Sequence, residues 1–269
     1  MELAGYIASL LIGISLGIIG SGGSILTVPV LVYLFNVDPV LATAYSLFIV
    51  GSTALAGFFT YLKSKLFDFK VAIFFGLPSL VAVFLTRKYI IPAIPDVIFE
   101  TSSGFQLTKG SLLLFIFAIL TVLSSYKMIR SKNKQNPDAE LSNEKKSKFY
   151  YWIVLAEGLV VGTLTGMVGA GGGFLIIPAL VMITKLPMKK AVGTSLLIIA
   201  IKSLTGLLGE PNLLAFDWVF LLSVTAIAIA GILIGKALAN KIPSKHLKPA
   251  FGWFVLILGL FMIAKEAFF

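Results

Sequence analysis

The sequence predicts an all-α polytopic membrane protein made of two inverted repeats, each a glycine-broken, re-entrant helix pair followed by three transmembrane helices. Three observations predict it. First, the 269 residues are 58% hydrophobic and only 13% charged, with a mean hydropathy of +1.00; a soluble domain carries about 25% charged residues, so the surplus apolar surface calls for lipid. Second, Gly20-Ser-Gly-Gly-Ser-Ile-Leu-Thr-Val-Pro29 returns as Gly169-Ala-Gly-Gly-Gly-Phe-Leu-Ile-Ile-Pro178, 149 residues later. Third, the lysines and arginines gather on one side of a membrane only if the two glycine-bearing runs turn back on themselves.

Apolar runs occupy roughly 3–35, 40–62, 70–92, 111–129, 150–184, 189–208, 217–239 and 249–268. Most suit one spanning helix of about 20 residues. The runs 3–35 and 150–184 are too long for a single crossing at about 1.5 Å per residue, and each holds a glycine cluster. Glycine inside a helix weakens it and lets a backbone or ligand come close. The first run starts at once, with Glu2 where a secretory leader has basic residues, and is read as part of the mature protein. Pro92 to Gly110 reads as a surface excursion. Residues 131–148 are overwhelmingly polar and have the composition of a flexible linker. They separate membrane repeat 1 (1–130) from membrane repeat 2 (149–269).

The repeats align without gaps from Gly13 to about Arg87. Gly13, Gly17, Gly20, Gly22, Gly23 and Pro29 match Gly162, Gly166, Gly169, Gly171, Gly172 and Pro178. Ala42, Ser46, Leu47, Leu55, Gly57 and Asp68 match Ala191, Ser195, Leu196, Leu204, Gly206 and Asp217. Apolar matches arise readily by chance in such a chain; Pro, Ser and Asp at one offset do not.

Cytoplasmic loops carry an excess of Lys and Arg, so the basic residues choose between bent spanning helices and re-entrant hairpins. If all eight runs span, the two sides receive 11 and 10 basic residues, which is no bias. If the long runs are hairpins, one side receives 17 and the other 4, the intramembrane Lys202 excluded. The hairpin reading puts the linker in the cytoplasm and both termini outside. Each half then holds an odd number of spans, so the halves are inverted. The glycine turns enter from opposite faces and are expected to meet near the bilayer midplane, as in many secondary transporters.

A helix broken inside a membrane leaves backbone N–H groups that only protein or a watery cavity can satisfy. At the start of the next helix these groups carry the positive end of its dipole, which suits an anion. The expected substrate-binding residues are therefore Gly20, Ser21, Gly22, Gly23 and Ser24 in the first turn and Gly169, Gly171, Gly172 and Gly173 in the second. Ser46, Thr194 and Ser195 add hydroxyls, and Lys202 adds a positive charge. Each has a plainer reading. Small residues pack helices closely, which fits Gly13/Gly17 and Gly162/Gly166 well. Ser and Thr hydroxyls bond to carbonyls one turn back. Lys202 either meets an anion or snorkels to the surface, and its repeat partner is the neutral Thr53. Asp68 and Asp217 precede helices and read as N-caps. Glu210, before Pro211, reads as a solvated loop residue.

The chain has no cysteine and one histidine, His246, in a polar loop. Disulfides, thiolate metal sites and His-rich zinc sites are excluded, and no catalytic residue, metal or other cofactor is expected. An enzyme needs a converging set of His, Cys or acidic groups that the spans lack. The net charge of +10 lies between apolar runs rather than on a basic stripe, so no nucleic-acid partner is expected. The expected partners are a small anionic substrate, the lipid bilayer and a coupling proton or ion. A passive anion channel and a structural membrane protein remain as alternatives.

The motifs GIIGSGGSILTVPVL and GMVGAGGGFLIIPAL, each followed by ATAYSL or AVGTSL, resemble the TauE/SafE sulfite exporter family over nearly the whole chain. The resemblance implies a bacterial-type inner cell membrane carrier of sulfur oxoanions or organosulfonates working by alternating access. Thiosulfate-importing relatives look cysteine-dependent, so the resemblance does not extend to that mode of uptake here.

Overall fold

The computed structural model describes residues 2–20, 22–62, 66–100, 106–130, 148–182, 186–211, 213–239 and 244–268. Ser21 and linker residues 131–147 lie outside them. The first long apolar run breaks into α1 (Glu2–Ile19), a 3-10 segment (Gly22–Leu26) and α2 (Thr27–Tyr33). α3 (Pro39–Leu62) follows, then α4 (Phe69–Leu85), which continues through a π turn (Thr86–Ile90) into α5 (Ile91–Ala93). After α6 (Lys109–Arg130), the second long run breaks into α7 (Lys148–Val168) and α8 (Gly173–Met182). α9 (Met188–Leu207), α10 (Trp218–Ala239) and α11 (Ser244–Phe268) complete the chain.

Within α3, α4–α5, α6, α9 and α10 lie segments long and apolar enough to cross a bilayer. The two long runs instead yield shorter apolar helices, as their glycine clusters require. Large apolar side chains such as Leu3, Ile7 and Leu11 on α1, and Phe74, Leu77 and Val81 on α4, face outward. That is the surface expected against lipid tails. The protein is an all-α polytopic membrane protein. Its one departure among the described residues is an exposed antiparallel ribbon of β1 (Val97–Glu100) and β2 (Gln106–Thr108), inside the Pro92–Gly110 excursion.

The duplication in sequence is a duplication in contacts. α1 packs on α10, and its counterpart α7 packs on α4; α3 packs on α9, and α6 on α11. A Cβ on Gly13 would lie 2.0 Å from Ala228 O, and one on Gly162 would lie 2.5 Å from Ser79 O; Ala228 and Ser79 are themselves 149 apart. Gly13, Gly17, Gly231 and Gly235 thus bring two helix backbones together, the close-packing role of small residues. α1 and α10 run parallel, since Gly13 meets Ala228 and Gly17 meets Ile232 and Lys236. α3 and α9 run antiparallel: Leu47 lies beside Gly206, Gly51 beside Leu204, and Gly57 beside Leu196.

Both aspartates cap helices. Asp68 Oδ1 accepts from Val71 N at 3.0 Å and Asp217 Oδ1 from Phe220 N at 3.0 Å. Their own N–H groups tie the repeats together, Asp68 N donating to Thr194 Oγ1 and Asp217 N to Tyr45 Oη, both at 2.8 Å.

The first long run is a hairpin. Gly20 turns the chain in a left-handed conformation (φ +89°), and Gly23 then packs on Ile12, Ser15 and Leu16 of α1. At the open end the Phe35 ring meets the Tyr6 ring edge-on at 5.3 Å. The turns do not meet at mid-depth, contrary to expectation. Gly17 lies beside Lys236 in the last turn of α10, and Gly166 beside Val83 and Thr86 at the end of α4. The physical reason is length: the 18 residues of α1 span about 27 Å, nearly the thickness of the hydrocarbon layer. It is the return arms that touch, the 3-10 segment packing against α8.

Candidate functional site

The second glycine turn carries three left-handed glycines, Gly169 (φ +75°), Gly171 (φ +60°) and Gly172 (φ +65°). An L side chain there would strain the backbone. Gly173 then opens α8, so the positive end of that helix dipole points at the turn. Lys202 comes to this place from α9. It is 1% exposed, its Nζ donates to Thr165 Oγ1 at 2.8 Å, and a Cβ on Gly172 would lie 2.8 Å from Nζ. The long stem therefore runs inward and does not snorkel. Among the described residues Lys202 has no carboxylate partner. Ser203, beside it, is buried with its hydroxyl unpartnered and lies 3.3 Å from a Cβ on Gly171.

The first turn is built differently. Gly20 packs on Val192 of α9 and Ile177 of α8. Gly22, Gly23 and Ser24 follow, buried in the 3-10 segment, and Ser21 lies outside the described residues. The position equivalent to Lys202 holds Thr53, buried and with its hydroxyl unpartnered. Lys202 thus has no cationic counterpart at the equivalent position of the first repeat.

The remaining hydroxyls have distinct surroundings. Ser195 Oγ donates one turn back to Val192 O at 2.8 Å. Thr194 Oγ1 donates to Lys190 O at 2.7 Å and accepts from Asp68 N, so both its functions are engaged in structure. Ser46 is fully buried with its hydroxyl unpartnered, three residues along α3 from Thr43, against which Gly169 packs. The expected residues thus fall into two groups at opposite ends of the α3–α9 pair. Charge is concentrated at the second.

Residues 6–262 match the family model described as Sulfite exporter TauE/SafE. The chain belongs to the TauE/SafE family. It is similar to proteins named "Probable membrane transporter protein" across wide evolutionary distance. One from Xylella fastidiosa (strain 9a5c) is 29% identical, covering 95% of this chain and 92% of the relative. One from Methanocaldococcus jannaschii is 26% identical, covering 94% of each. One from Bacillus subtilis (strain 168) is 25% identical, covering 98% and 99%. No solved structure matches. As a TauE/SafE member the protein is a membrane transporter of multi-pass topology and not an enzyme.

Sequence reasoning missed one residue of this TauE/SafE protein beside the second turn. Arg87 reads as a loop residue at a span end, yet it is fully buried, its Nη1 donating to Thr43 Oγ1 at 3.0 Å and to Glu210 Oε2 at 3.3 Å. Glu210, read as solvated, keeps only 10% of its side chain exposed in this pair. A signal was available. Arg87 lies 149 residues before Lys236, so both repeats carry a basic residue at one place. Lys236 binds Thr60 O and stands 4.7 Å from the Tyr61 ring centroid.

Proposed function

We propose that this TauE/SafE member is a secondary transporter of a small anion, a sulfur oxoanion or organosulfonate of the sulfite kind, working by alternating access. The carrying observation is the Lys202 ammonium: buried, without a carboxylate partner among the described residues, and set against a glycine turn that opens a helix. An uncompensated buried charge is costly, and here a helix N-terminus adds positive potential to it. A transient anion compensates both. Gly171 and Gly172 receive it through backbone N–H groups, Gly169 and Gly173 shape the turn on either side, Lys202 supplies the charge, and Ser46 offers a hydroxyl. Gly20, Gly22, Gly23 and Ser24, with Ser21, Thr194 and Ser195, shape the equivalent passage at the other end.

The antiparallel packing of the equivalent helices α3 and α9 supports two inverted repeats. The distribution of basic residues supports a cytoplasmic linker and both termini outside, and the family resemblance supports an inner cell membrane. The cargo assignment follows the description of the family, and a proton or ion gradient drives the cycle.

Flux in proteoliposomes tests the reading. Saturable uptake of labelled sulfite with counterflow is the expected result. Conductance without counterflow favours a passive anion channel and refutes the carrier. Sulfoacetate, taurine and sulfate in the same assay rank the cargo.

A further inference from the structure

We propose that Arg87 is a second oxyanion-binding residue, at the outer end of the second glycine turn, and that Glu210 is its resident stand-in, displaced when an oxyanion arrives. This rests on the anion-transporter reading but not on Lys202.

Arg87 is wholly buried, and its Nε and Nη2 have no hydrogen-bond partner. Those two nitrogens form one edge of the guanidinium, the edge that presents two parallel N–H groups to a pair of oxygens on one centre. Leaving such an edge dry and unpaired is costly, and a structural arginine would have it filled. Glu210 does not fill it. It meets only Nη1, through one oxygen at 3.3 Å, longer than the roughly 2.7–2.9 Å of a strong charged pair. Thr43 takes the other side of Nη1. Its hydroxyl donates to Val40 O at 2.7 Å, leaving a lone pair for the arginine.

The surroundings connect this edge to the turn. The backbone of Thr43 closes on Gly169, where a Cβ would lie 2.2 Å from Thr43 O. Gly209, next to Glu210, packs on the Arg87 stem: a Cβ on Gly209 would lie 3.1 Å from Arg87 Cβ. Arg87 sits in the π turn of α4, and such turns gather at functional sites.

The other repeat supplies an internal comparison. Lys236 occupies the position of Arg87, and Tyr61 that of Glu210. There the cation is held by a carbonyl and an aromatic ring, neither of which an anion replaces charge for charge. At the second turn the partner is a carboxylate, chemically an oxyanion of the same binding geometry as the cargo. The ligand class is an oxyanion with two or more oxygens on one atom.

The test uses the full chain in lipid nanodiscs, titrated with sulfite, methanesulfonate and formate. Glu210→Gln keeps the size and an oxygen acceptor but removes the competing charge. It should tighten sulfite binding about tenfold, since charged hydrogen bonds are roughly twice as strong as neutral ones. Arg87→Lys keeps the charge but loses the two-donor edge, and should weaken all three ligands about tenfold or more. Melting temperature reports folding in each case. Unchanged sulfite affinity in a folded Glu210→Gln protein overturns the proposal, whatever Arg87→Lys does. If Lys202→Met loses binding while Glu210→Gln matches wild type, the transporter reading stands and this inference falls. If the wild-type chain binds no oxyanion, both fall.

Discussion

Replacing Lys202 by Met separates the binding role of the residue from any structural one. The stems are similar in shape, so the substitution removes the charge and little volume. In the folded protein Nζ lies 2.8 Å from where a Cβ on Gly172 would be. An anion resting on that turn is therefore within about 4 Å of the charge, where two unit charges attract by about 4 kcal/mol at an effective dielectric of about 20. At about 1.4 kcal/mol per decade this is close to three decades of affinity. Removing the charge also relieves its burial in the empty protein, and replacing buried charges by apolar groups of like size is often neutral or stabilising. Thr165 does not suffer, because its hydroxyl keeps its own bond to Gly162 O at 3.2 Å. Lys202→Met should thus melt at or above the wild-type temperature without ligand and bind sulfite at least a hundredfold more weakly. Calorimetric titration with sulfite, paired with thermal unfolding, reads both. Affinity within threefold of wild type refutes the role given to Lys202.

Gly172→Ala places a Cβ 2.0 Å from Thr165 Cγ2 at φ +65°, so it should cost about 1–3 kcal/mol of stability and cut flux more than tenfold. Gly76→Ala is the control, its Cβ meeting only Ile198 Cγ1 at 3.6 Å; it should leave flux unchanged and melt no lower. Gly13→Leu drives a side chain into the α1–α10 seam, 2.0 Å from Ala228 O, and should lower the yield of folded protein in size-exclusion chromatography by costing about 1–3 kcal/mol or more. The chain lacks cysteine, so single cysteines at Pro137 and Asp96 can be labelled selectively; they should react from opposite faces of the membrane, and labelling of both from outside would overturn the inverted topology.

Much of the fold was legible because the duplication is carried by residues with few substitutes. Pro, Asp and the Gly-Gly cores recur at one offset, and each marks a place where backbone geometry or capping decides. Asp68 and Asp217 cap as read, and Gly13 and Gly17 serve packing. The depth of the hairpins was not legible. A glycine cluster marks where a helix breaks, whereas depth is set by the partner helix, and only the parallel seam between α1 and α10 carries Gly17 as far as Lys236. Arg87 was missed for a related reason. At the end of an apolar run an arginine resembles a topology marker, and its burial depends on Glu210, 123 residues away. The environment of Thr194 was equally hidden, being fixed by the N–H of Asp68 from the other repeat.

The contrast between a symmetric scaffold and asymmetric charge bears on mechanism. The seams of the two repeats correspond residue by residue, from Gly13/Gly162 to the paired caps at Asp68 and Asp217. The cations do not. Lys202 faces its turn where the other repeat has Thr53, and Arg87 meets a carboxylate where Lys236 meets an aromatic ring. In the proposed cycle, corresponding seams would let two inverted arrangements of one scaffold lie close in energy, which alternating access requires. Unequal charge gives an anion one preferred resting place instead of two. A ligand shifts such an equilibrium only through differential affinity for its two states. Setting Lys202, which has no counterpart in the other repeat, at one turn is how this chain would supply that difference.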